Sequence, residues 1–527
     1  MPSESLKGPL VPSPPQQNLI PPSMAGRLIP AALALLWTVA AVIRLYDLGG
    51  RPLWVDEAWV ALAALQPHLK DALAGSQPTP PLYILTVWAL VQLGGASEAV
   101  LRSLSFLFGL GTVVLFWPLA RRLAPVPAAL AGLAAVALSP RLVYFSKELK
   151  QYSGDAFFAV LLLWLGERLR SREGERGWIA LAVAGLFGLG YSHTLIFLLP
   201  VLAAVLGVSL PSRQRRTLML VGGIWGLGFL VYYGIFIRRQ IEPDLLAYWA
   251  QDFPDFSGPI PLAQWLGAAL SRYLTYFLGE WGLIVGGPLV LAGGVLLLRQ
   301  KSGRGLVYLG GPLLAALFAA ALHRYPFMGH YGGSRLMLFS APLLYLVAAS
   351  ALAGGLTWLW QRRQHALALA AAGIILWGLH PYRNMQDNLH PSDNREELRP
   401  LIRLLNEQIQ PGDYVYVHYF AVPAFSYYCP RPPEHLICGK SCLESPLDLP
   451  SSGTSPPRRL WLVATHFEEL AELRKFAAHL AGPDWREAEC LTRPGAALFL
   501  LERQRPARYP GGPPRTDLIR ESSSANR

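Results

Sequence analysis

Long apolar segments, separated by short basic clusters, most restrict what this chain can fold into. Each segment is about as long as a membrane-spanning helix requires. The candidate spans are residues 28–45, 102–120, 124–142, 153–168, 177–191, 194–210, 217–237, 281–299, 305–322, 336–358 and 366–380. A helix satisfies its backbone polar groups within the apolar segment itself. The sequence therefore predicts a polytopic, mainly α-helical membrane protein with a bundle of about eleven transmembrane helices.

The basic clusters predict the orientation of these spans, because Lys and Arg are enriched in cytoplasmic loops. They fall at every second junction, at Arg121/Arg122, Arg168 to Arg176, Arg213 to Arg216, Arg299 to Arg304 and Arg362/Arg363. The N-terminus is therefore predicted in the cytoplasm, and the long first loop, residues 46–101, on the outer side. Residues 80–93 are apolar but short for a crossing, so they are predicted to lie on the membrane surface within this loop.

The net charge of +12 would also fit a nucleic-acid-binding protein. However, the composition is 52% hydrophobic and only 15% charged, and the basic residues are scattered between apolar segments. Nucleic-acid-binding domains instead collect their basic residues on one face. We therefore predict membrane lipid, and no nucleic acid, as a partner.

The composition changes along the chain and predicts four regions. Residues 1–27 are rich in Pro, Ser and Gln and are predicted to be a disordered cytoplasmic N-terminus. Residues 28–380 are predicted to form the transmembrane catalytic domain. Residues 381–505 are predicted to form a small extracytoplasmic α/β domain, with helices near 395–408 and 468–480 and strands near 414–418, 460–463 and 496–501. Residues 506–527 are predicted to be a disordered tail.

The cysteines support the outer location of the C-terminal domain. All four of them, Cys429, Cys438, Cys442 and Cys490, lie within it and none lies in a span. Disulfides form outside the cytoplasm, and four cysteines allow three pairings, among which the sequence does not choose.

Two adjacent carboxylates, Asp56 and Glu57, follow the first span directly. Carboxylates at a membrane boundary are costly unless they are paired or functional. The alternative is that they begin a short surface helix, where the helix dipole favours acids. A divalent cation held by Asp56 or Glu57 is left open, since no metal-binding motif such as HExxH or CxxC supports one, and the sequence identifies no cofactor.

Further polar residues are predicted on the same outer side. They are Lys147, Glu148, Lys150 and Tyr152 in the second outer loop, His193 in the third, and Arg335 at the start of the tenth span. Taken singly, the loop charges could pair with one another, His193 could be structural, and Arg335 could only anchor its helix at the interface. Together with Asp56 they supply the groups needed to act on a phosphorylated lipid: cations that bind phosphate and a carboxylate that accepts a proton.

Seven short motifs occur in a characteristic order. They are RLYDLG (44–49), LWVDEA (53–58), PPLY (80–83), EAVLRSLS (98–105), SPRLVYFSKELKQY (139–152), YSHT (191–194) and SRLMLFSAP (334–342). This set resembles the GT-C superfamily of membrane glycosyltransferases, in particular the glycosyltransferase family 39-like group. Its relatives are protein O-mannosyltransferases, aminoarabinose transferases of lipid A and lipopolysaccharide-core transferases.

The resemblance implies a sugar donor linked to polyprenyl phosphate and transfer with inversion to an acceptor hydroxyl of a lipid, a glycan or a protein. The reaction would occur on the extracytoplasmic face of the cell inner (plasma) membrane. The implied catalytic residues are Asp56 and Glu57, and the implied substrate-binding residues are Lys147, Glu148, Lys150, Tyr152, His193 and Arg335.

The sequence departs from the family pattern at three positions. Lys150 stands where arginine is usual, and Thr194 and Leu336 stand where aromatic residues are usual. These departures concern the choice of sugar more than the type of reaction.

Two other functional classes make different predictions. A transporter or flippase of lipid-linked sugars would carry ionisable residues at mid-depth inside the spans, whereas the interiors of the predicted spans are nearly uncharged. A structural or assembly protein, with the outer domain as its working part, would keep its activity in cells when Asp56 or Arg335 is substituted.

Overall fold

The computed structural model describes residues 22–75, 78–170, 176–240, 247–300, 302–330, 333–378, 396–440, 447, 457–467 and 469–504. The chain divides into two compact units, residues 1–394 and 395–527.

The first unit is built from α-helices. They are α1 (Pro22–Leu45), α2 (Val55–Ala64), α3 (Leu69–Ala74), α4 (Pro81–Gly94), α5 (Glu98–Leu123), α6 (Val126–Leu138), α7 (Pro140–Ser146), α8 (Tyr152–Arg170), α9 (Arg176–Tyr191), α10 (Leu195–Ser209), α11 (Ser212–Tyr232), α12 (Pro259–Leu278), α13 (Gly287–Arg299), α14 (Arg304–Ala321), α15 (Ala341–Gln361) and α16 (His365–Gly378). A π-helical turn, Tyr233–Ile237, continues α11 into Arg238–Gln240, and a second one, Gly282–Gly286, precedes α13. Two 3-10 helices, Ala250–Asp252 and Gly333–Ser340, precede α12 and α15.

The protein is a multi-pass membrane protein, and all eleven predicted spans fall on these helices. By length and composition, six helical segments of the described chain are able to cross a membrane: Gly26–Leu45, Glu98–Leu123, Ser212–Gln240, Gly282–Arg299, Arg304–Ala321 and Gly333–Gln361. The pair α6 and α7, bent by 49°, makes a seventh if it forms one span. Three apolar helices, α4, α9 and α10, are shorter than 18 residues. By length, therefore, fewer than eleven helices of the described chain are able to cross a membrane.

Two boundaries differ from the sequence prediction. The first helix begins at Pro22 instead of residue 28, because proline is well suited to the first turn of a helix. Residues 238–280, which connect the seventh and eighth predicted spans, contain a 20-residue helix, α12, which begins with a proline. Residues 1–21 of the predicted disordered segment lie outside the described residues.

The bend between α6 and α7 begins the segment that leads into the candidate site. Pro140 has no backbone N–H and disfavours a helical conformation for Ser139, which has φ −55° and ψ 121°. The Ser139 hydroxyl then accepts a hydrogen bond from the Leu142 N–H at 3.3 Å and so caps α7. The chain leaves α7 at Lys147 and enters α8 at Tyr152.

The core of the first unit includes the first half of α15, where residues Ala341–Ala351 are all buried. Close helix packing contributes to this burial: a Cβ at Gly293 on α13 would overlap the carbonyl of Val347 on α15. Small residues at helix interfaces allow such close approach in membrane bundles.

The second unit contains a five-stranded sheet, which confirms the predicted α/β fold. Its strands are β1 (Tyr414–Val417), β2 (His435–Cys438), β3 (Arg459–Thr465), β4 (Trp485–Arg493) and β5 (Ala496–Arg503), in the order β2-β1-β3-β5-β4. Strand β1 pairs in parallel with β2 and β3, whereas β5 pairs antiparallel with β3 and β4. The helices are α17 (Leu398–Gln408), α18 (Val422–Tyr428) and α19 (Leu470–Ala481). The sequence reading missed β2, which is short, and β4, an edge strand with charged residues and little hydrophobic alternation.

Among the described cysteines, none forms a disulfide. Cys429 is buried and donates a hydrogen bond to the Arg431 carbonyl at 3.3 Å, whereas Cys438 is exposed and Cys490 is partly exposed. Cys442 lies outside the described residues.

Candidate active site

Arg102, fully buried on α5, fixes the connection between α1 and α2. Its Nε and Nη2 atoms donate to the two carboxylate oxygens of Glu57, each at 2.8 Å. Its Nη1 atom also donates to the carbonyls of Leu48 and Arg51, at 3.2 and 2.7 Å, and Nη2 donates to the Pro52 carbonyl at 3.2 Å. The chain between α1 and α2 therefore folds around one guanidinium group, which sets the position of α2.

Glu57 is fully buried and joins three parts of the chain. Besides Arg102, it accepts a hydrogen bond from the Leu149 N–H at 2.8 Å, in the segment between α7 and α8. Burial by itself would raise the pKa of the Glu57 carboxyl, but the charges of Arg102 and Arg51 and the hydrogen bonds from Arg102 and Leu149 together hold that pKa below its usual value. Glu57 is thus an ionised carboxylate whose two oxygens are already held.

Further contacts attach the α7–α8 connection to the α1–α2 connection. The Arg51 Nη2 atom donates to the Lys147 carbonyl at 3.0 Å, and the Arg51 guanidinium lies 4.5 Å from the centre of the Tyr144 ring. The Trp54 indole N–H donates to the Glu148 carboxylate at 2.9 Å. The two loops that carry the predicted acids and cations are therefore joined directly.

Asp56 is adjacent to Glu57 on α2 but has a different environment. Its side chain is 21% exposed, whereas that of Glu57 is fully buried. The Asp56 Oδ2 atom lies 3.7 Å from the Nη2 atom of Arg335. Arg335 also donates from Nε to the Tyr152 hydroxyl at 3.0 Å, and its guanidinium lies 6.0 Å from the centre of the Trp249 ring. The fold thus brings Asp56, Tyr152 and Arg335 together from three separate segments.

The two lysines of the α7–α8 connection are both buried, at 8% exposure for Lys147 and 6% for Lys150. Burial, followed by the nearby charge of Arg51, lowers the pKa of Lys147 to about 8. The Lys150 backbone is fixed by the Ser105 hydroxyl, which donates to the Lys150 carbonyl at 3.1 Å. Within the described residues, the Lys150 ammonium has no hydrogen bond or ion pair.

His193, in the turn between α9 and α10, lies next to Tyr232. Its Nδ1 atom is 3.0 Å from the Tyr232 hydroxyl, and the two rings stack with their centres 5.9 Å apart. Burial lowers the pKa of His193 to about 4, so the imidazole is neutral at physiological pH. This hydrogen bond joins His193 to none of the other predicted site residues.

A second polar cluster, Asp252, Arg272 and His330, joins the segment that follows Trp249 to the segment that precedes Arg335. Asp252 Oδ1 accepts from the His330 backbone N–H at 2.8 Å and lies 2.7 Å from His330 Nδ1. The Arg272 Nη1 atom lies 3.2 Å from His330 Nε2. Because arginine only donates, His330 Nε2 accepts from Arg272, and His330 Nδ1 donates to Asp252.

Sequence reasoning did not assign roles to Arg102, Arg51 and Trp54, although all three lie in or beside the quoted motifs. The available signal was Arg102, a single arginine at the beginning of an apolar span. The carboxylate that holds it could not be identified before folding.

The acidic pair does not resemble a metal centre. Glu57 is paired with Arg102, and Asp56 lies closest to a cation, Arg335. Among the described residues, no group of three or more His, Cys, Asp or Glu side chains is arranged to hold a metal ion.

Part of the chain matches a family of known proteins. Residues 78–213 match the family model of dolichyl-phosphate-mannose-protein mannosyltransferase. That segment contains Lys147, Glu148, Lys150, Tyr152 and His193. No curated protein sequence matches the chain.

Solved structures of one protein, ArnT, share the overall fold at low sequence identity. ArnT from Cupriavidus metallidurans in the apo state has a TM-score of 0.51 and 14% identity, over 90% of this chain and 98% of that chain. The same protein bound to undecaprenyl phosphate has a TM-score of 0.50 and 13% identity over the same shares. The archaeal oligosaccharyltransferase AglB from Archaeoglobus fulgidus is more distant, with a TM-score of 0.44 and 12% identity over 79% of this chain and 65% of that chain.

Residues 78–213 therefore resemble the dolichyl-phosphate-mannose-protein mannosyltransferase family, and the chain shares the overall fold of ArnT.

Proposed function

We propose that this enzyme transfers a sugar from a polyprenyl-phosphate-linked donor to an acceptor hydroxyl, with inversion at the sugar carbon. The observation that carries the proposal is the convergence of a partly exposed carboxylate, Asp56, with a partly buried arginine, Arg335, at 3.7 Å. Asp56 supplies a proton acceptor and Arg335 supplies a cation that binds phosphate, at one place.

Three cations are available for the donor phosphate. Arg335 presents a planar guanidinium, which suits bidentate binding of phosphate oxygens. Lys150 has no protein partner among the described residues, and Lys147 lies beside it in the same connection. The bound undecaprenyl phosphate in a structure of similar fold supports a lipid phosphate as the ligand of this site.

The reaction that fits these groups is a single displacement. The acceptor oxygen attacks the anomeric carbon and forms the new C–O bond while the bond from that carbon to the phosphate oxygen breaks. The acceptor proton passes to Asp56, and the polyprenyl phosphate leaves with its negative charge held by Arg335, Lys147 and Lys150. Attack from the side opposite the leaving group inverts the configuration of the sugar carbon.

The other predicted site residues have supporting roles in this mechanism. Glu57 is a positioning residue, because Arg102 and the Leu149 N–H occupy its oxygens. Glu148 accepts from the Trp54 indole, and Tyr152 accepts from Arg335, so both orient the site. His193, neutral and next to Tyr232, is assigned to sugar binding.

We assign the site and the C-terminal unit to the extracytoplasmic face of the cell inner (plasma) membrane. The basic clusters that follow the alternate spans support this orientation, because they would all lie in the cytoplasm. The acceptor is a lipid, a glycan or a protein with an accessible hydroxyl.

The function is tested with purified enzyme and synthetic polyprenyl-phosphate sugars. We expect release of polyprenyl phosphate when acceptor is present, and accumulation of one polyprenyl-phosphate sugar in cells that lack the protein, measured by mass spectrometry. If the loss of the protein changes no lipid-linked sugar, and cells instead lose transport of such lipids across the membrane, a transporter or flippase is the correct function.

A further inference from the structure

The carboxyl ends of β1 and β3, in the second unit, form a second candidate binding site. Strand β1 has parallel neighbours on both sides, β2 and β3. The chain leaves β1 towards β2 and then returns to β3 on the other side of β1. Open α/β sheets bind ligands in the crevice outside the carboxyl ends of the strands at such a switch in direction.

A histidine held by a buried carboxylate lies at this edge. The Glu396 carboxylate is fully buried, and its Oε1 atom is 3.0 Å from Nδ1 of His466, directly after β3. A hydrogen bond from Nδ1 leaves Nε2 as the ring nitrogen directed away from Glu396. The His466 side chain is 48% exposed, so an imidazole of fixed orientation is accessible from solvent.

The backbone at His466 is strained. Its φ of 63° lies in the left-handed region, which is unfavourable for a residue with a Cβ. Such strain is concentrated at functional sites. The preceding residue, Thr465, is 1% exposed, and its hydroxyl has no hydrogen-bond partner among the described residues.

Aromatic rings complete this edge. The Phe420 ring lies 4.6 Å from the His466 ring and 5.9 Å from the His418 ring, and Phe476 lies 5.2 Å from His418, centre to centre. We call His418, Phe420, His466 and Phe476 the aromatic cluster. Mixed aromatic and polar surfaces of this kind are typical of small-molecule sites.

We propose that the aromatic cluster binds a saccharide. A sugar ring offers apolar C–H faces that pack on aromatic rings, and its hydroxyls both donate and accept hydrogen bonds, as imidazoles do. The residues after β1, His418 to Ala421, include no glycine, unlike the loops that bind nucleotide phosphates. The saccharide would be an acceptor or product glycan, an identification that rests on the proposed function. Saccharide binding itself is tested without the lipid-linked donor.

The test measures saccharide binding to the full-length protein in detergent by saturation-transfer difference NMR. The probes are glucose, galactose, mannose, N-acetylglucosamine and glucuronic acid and their disaccharides. We expect at least one of them to bind, and Phe420→Ala and His466→Ala to weaken it about 3- to 10-fold each, as for loss of an aromatic or hydrogen-bonding contact. Phe420→Trp, which keeps an aromatic face, should retain binding.

A matched control comes from the amino ends of the strands in the same sheet. His435 begins β2 and stacks on Tyr414 with ring centres 4.5 Å apart, so His435→Ala removes a histidine–aromatic contact elsewhere and should leave binding unchanged. Thermal unfolding of each variant identifies any loss of fold, and Phe420→Trp then provides the decisive comparison. The proposal is overturned if no saccharide binds, if His435→Ala weakens binding as much as His466→Ala, or if adenosine and uridine monophosphates bind and saccharides do not.

Discussion

The Asp56 carboxylate and the Arg335 guanidinium lie 3.7 Å apart, although one belongs to α2 and the other to the 3-10 helix before α15. In this arrangement each group partly neutralises the other. In the proposed mechanism, the donor phosphate would compete with Asp56 for Arg335 and would release the carboxylate to accept the proton of the acceptor hydroxyl. Donor binding and activation of the base would then be coupled through this ion pair.

Asp56→Asn should reduce turnover by about 10²- to 10⁴-fold, because an amide does not accept the acceptor proton. The measurement is the rate at which purified enzyme releases polyprenyl phosphate from the donor. Glu280→Gln neutralises an exposed acid in the connection after α12 and serves as the control. Full turnover by Asp56→Asn would remove Asp56 from the mechanism.

Glu57→Gln should destabilise the protein and should lower activity mainly through loss of folded enzyme. Removing one partner of a buried ion pair leaves the other charge uncompensated, which costs about 3–5 kcal/mol. Thermal unfolding in detergent measures this effect, with Asp56→Asn as the neighbouring variant that should keep its melting temperature. A catalytic Glu57 would give the reverse: a stable variant with no turnover.

The Glu57–Arg102 pair also predicts a pH dependence of stability. Since the pKa of Glu57 in the folded protein lies below its unfolded value, the pair stabilises the fold fully above the unfolded pKa, and this stabilisation is lost as the pH falls through the folded pKa. Wild-type protein should therefore unfold more readily on acidification below about pH 4, and Glu57→Gln should lack that part of the pH dependence. Identical acid profiles of the two proteins would contradict this assignment.

Lys147 predicts an alkaline limit on donor use. Its pKa of about 8 means that the ammonium loses its proton above that pH. A neutral amine no longer attracts the donor phosphate, so kcat/KM should fall above pH 8. Lys147→Arg, which stays protonated, should move this limit to higher pH, whereas Lys150→Arg should not. A limit that Lys147→Arg leaves in place would assign the titration to another group.

Arg335→Lys should retain part of the activity and raise the KM for the donor about tenfold. Lysine keeps the charge but loses the planar fork and the hydrogen bond from Nε to Tyr152. Tyr152→Phe removes the same hydrogen bond from the other side, so the two substitutions should be less than additive when combined. Fully additive effects on the donor KM would mean that Tyr152 does not act through Arg335.

The sequence motifs predicted part of the candidate site. Motif reasoning selected both acids, both lysines, Tyr152 and Arg335 as candidates, because charged residues beside apolar spans are conspicuous in a sequence. It treated Asp56 and Glu57 as equivalent, since both are carboxylates next to each other. Their separation depends on Arg102, which binds Glu57 and leaves Asp56 facing Arg335, and no spacing rule connects these residues.

The sequence by itself determined the membrane bundle, the α/β character of the C-terminal unit and the polar residues at the helix ends. These features follow from local patterns: apolar length, the position of basic clusters and the alternation of short strands. Only the tertiary structure decided which carboxylate is buried and paired, which cation lies beside Asp56, and that His193 contacts Tyr232. The physical reason is that burial and ion pairing depend on contacts between segments far apart in the chain, and such contacts leave no periodic signal in the sequence.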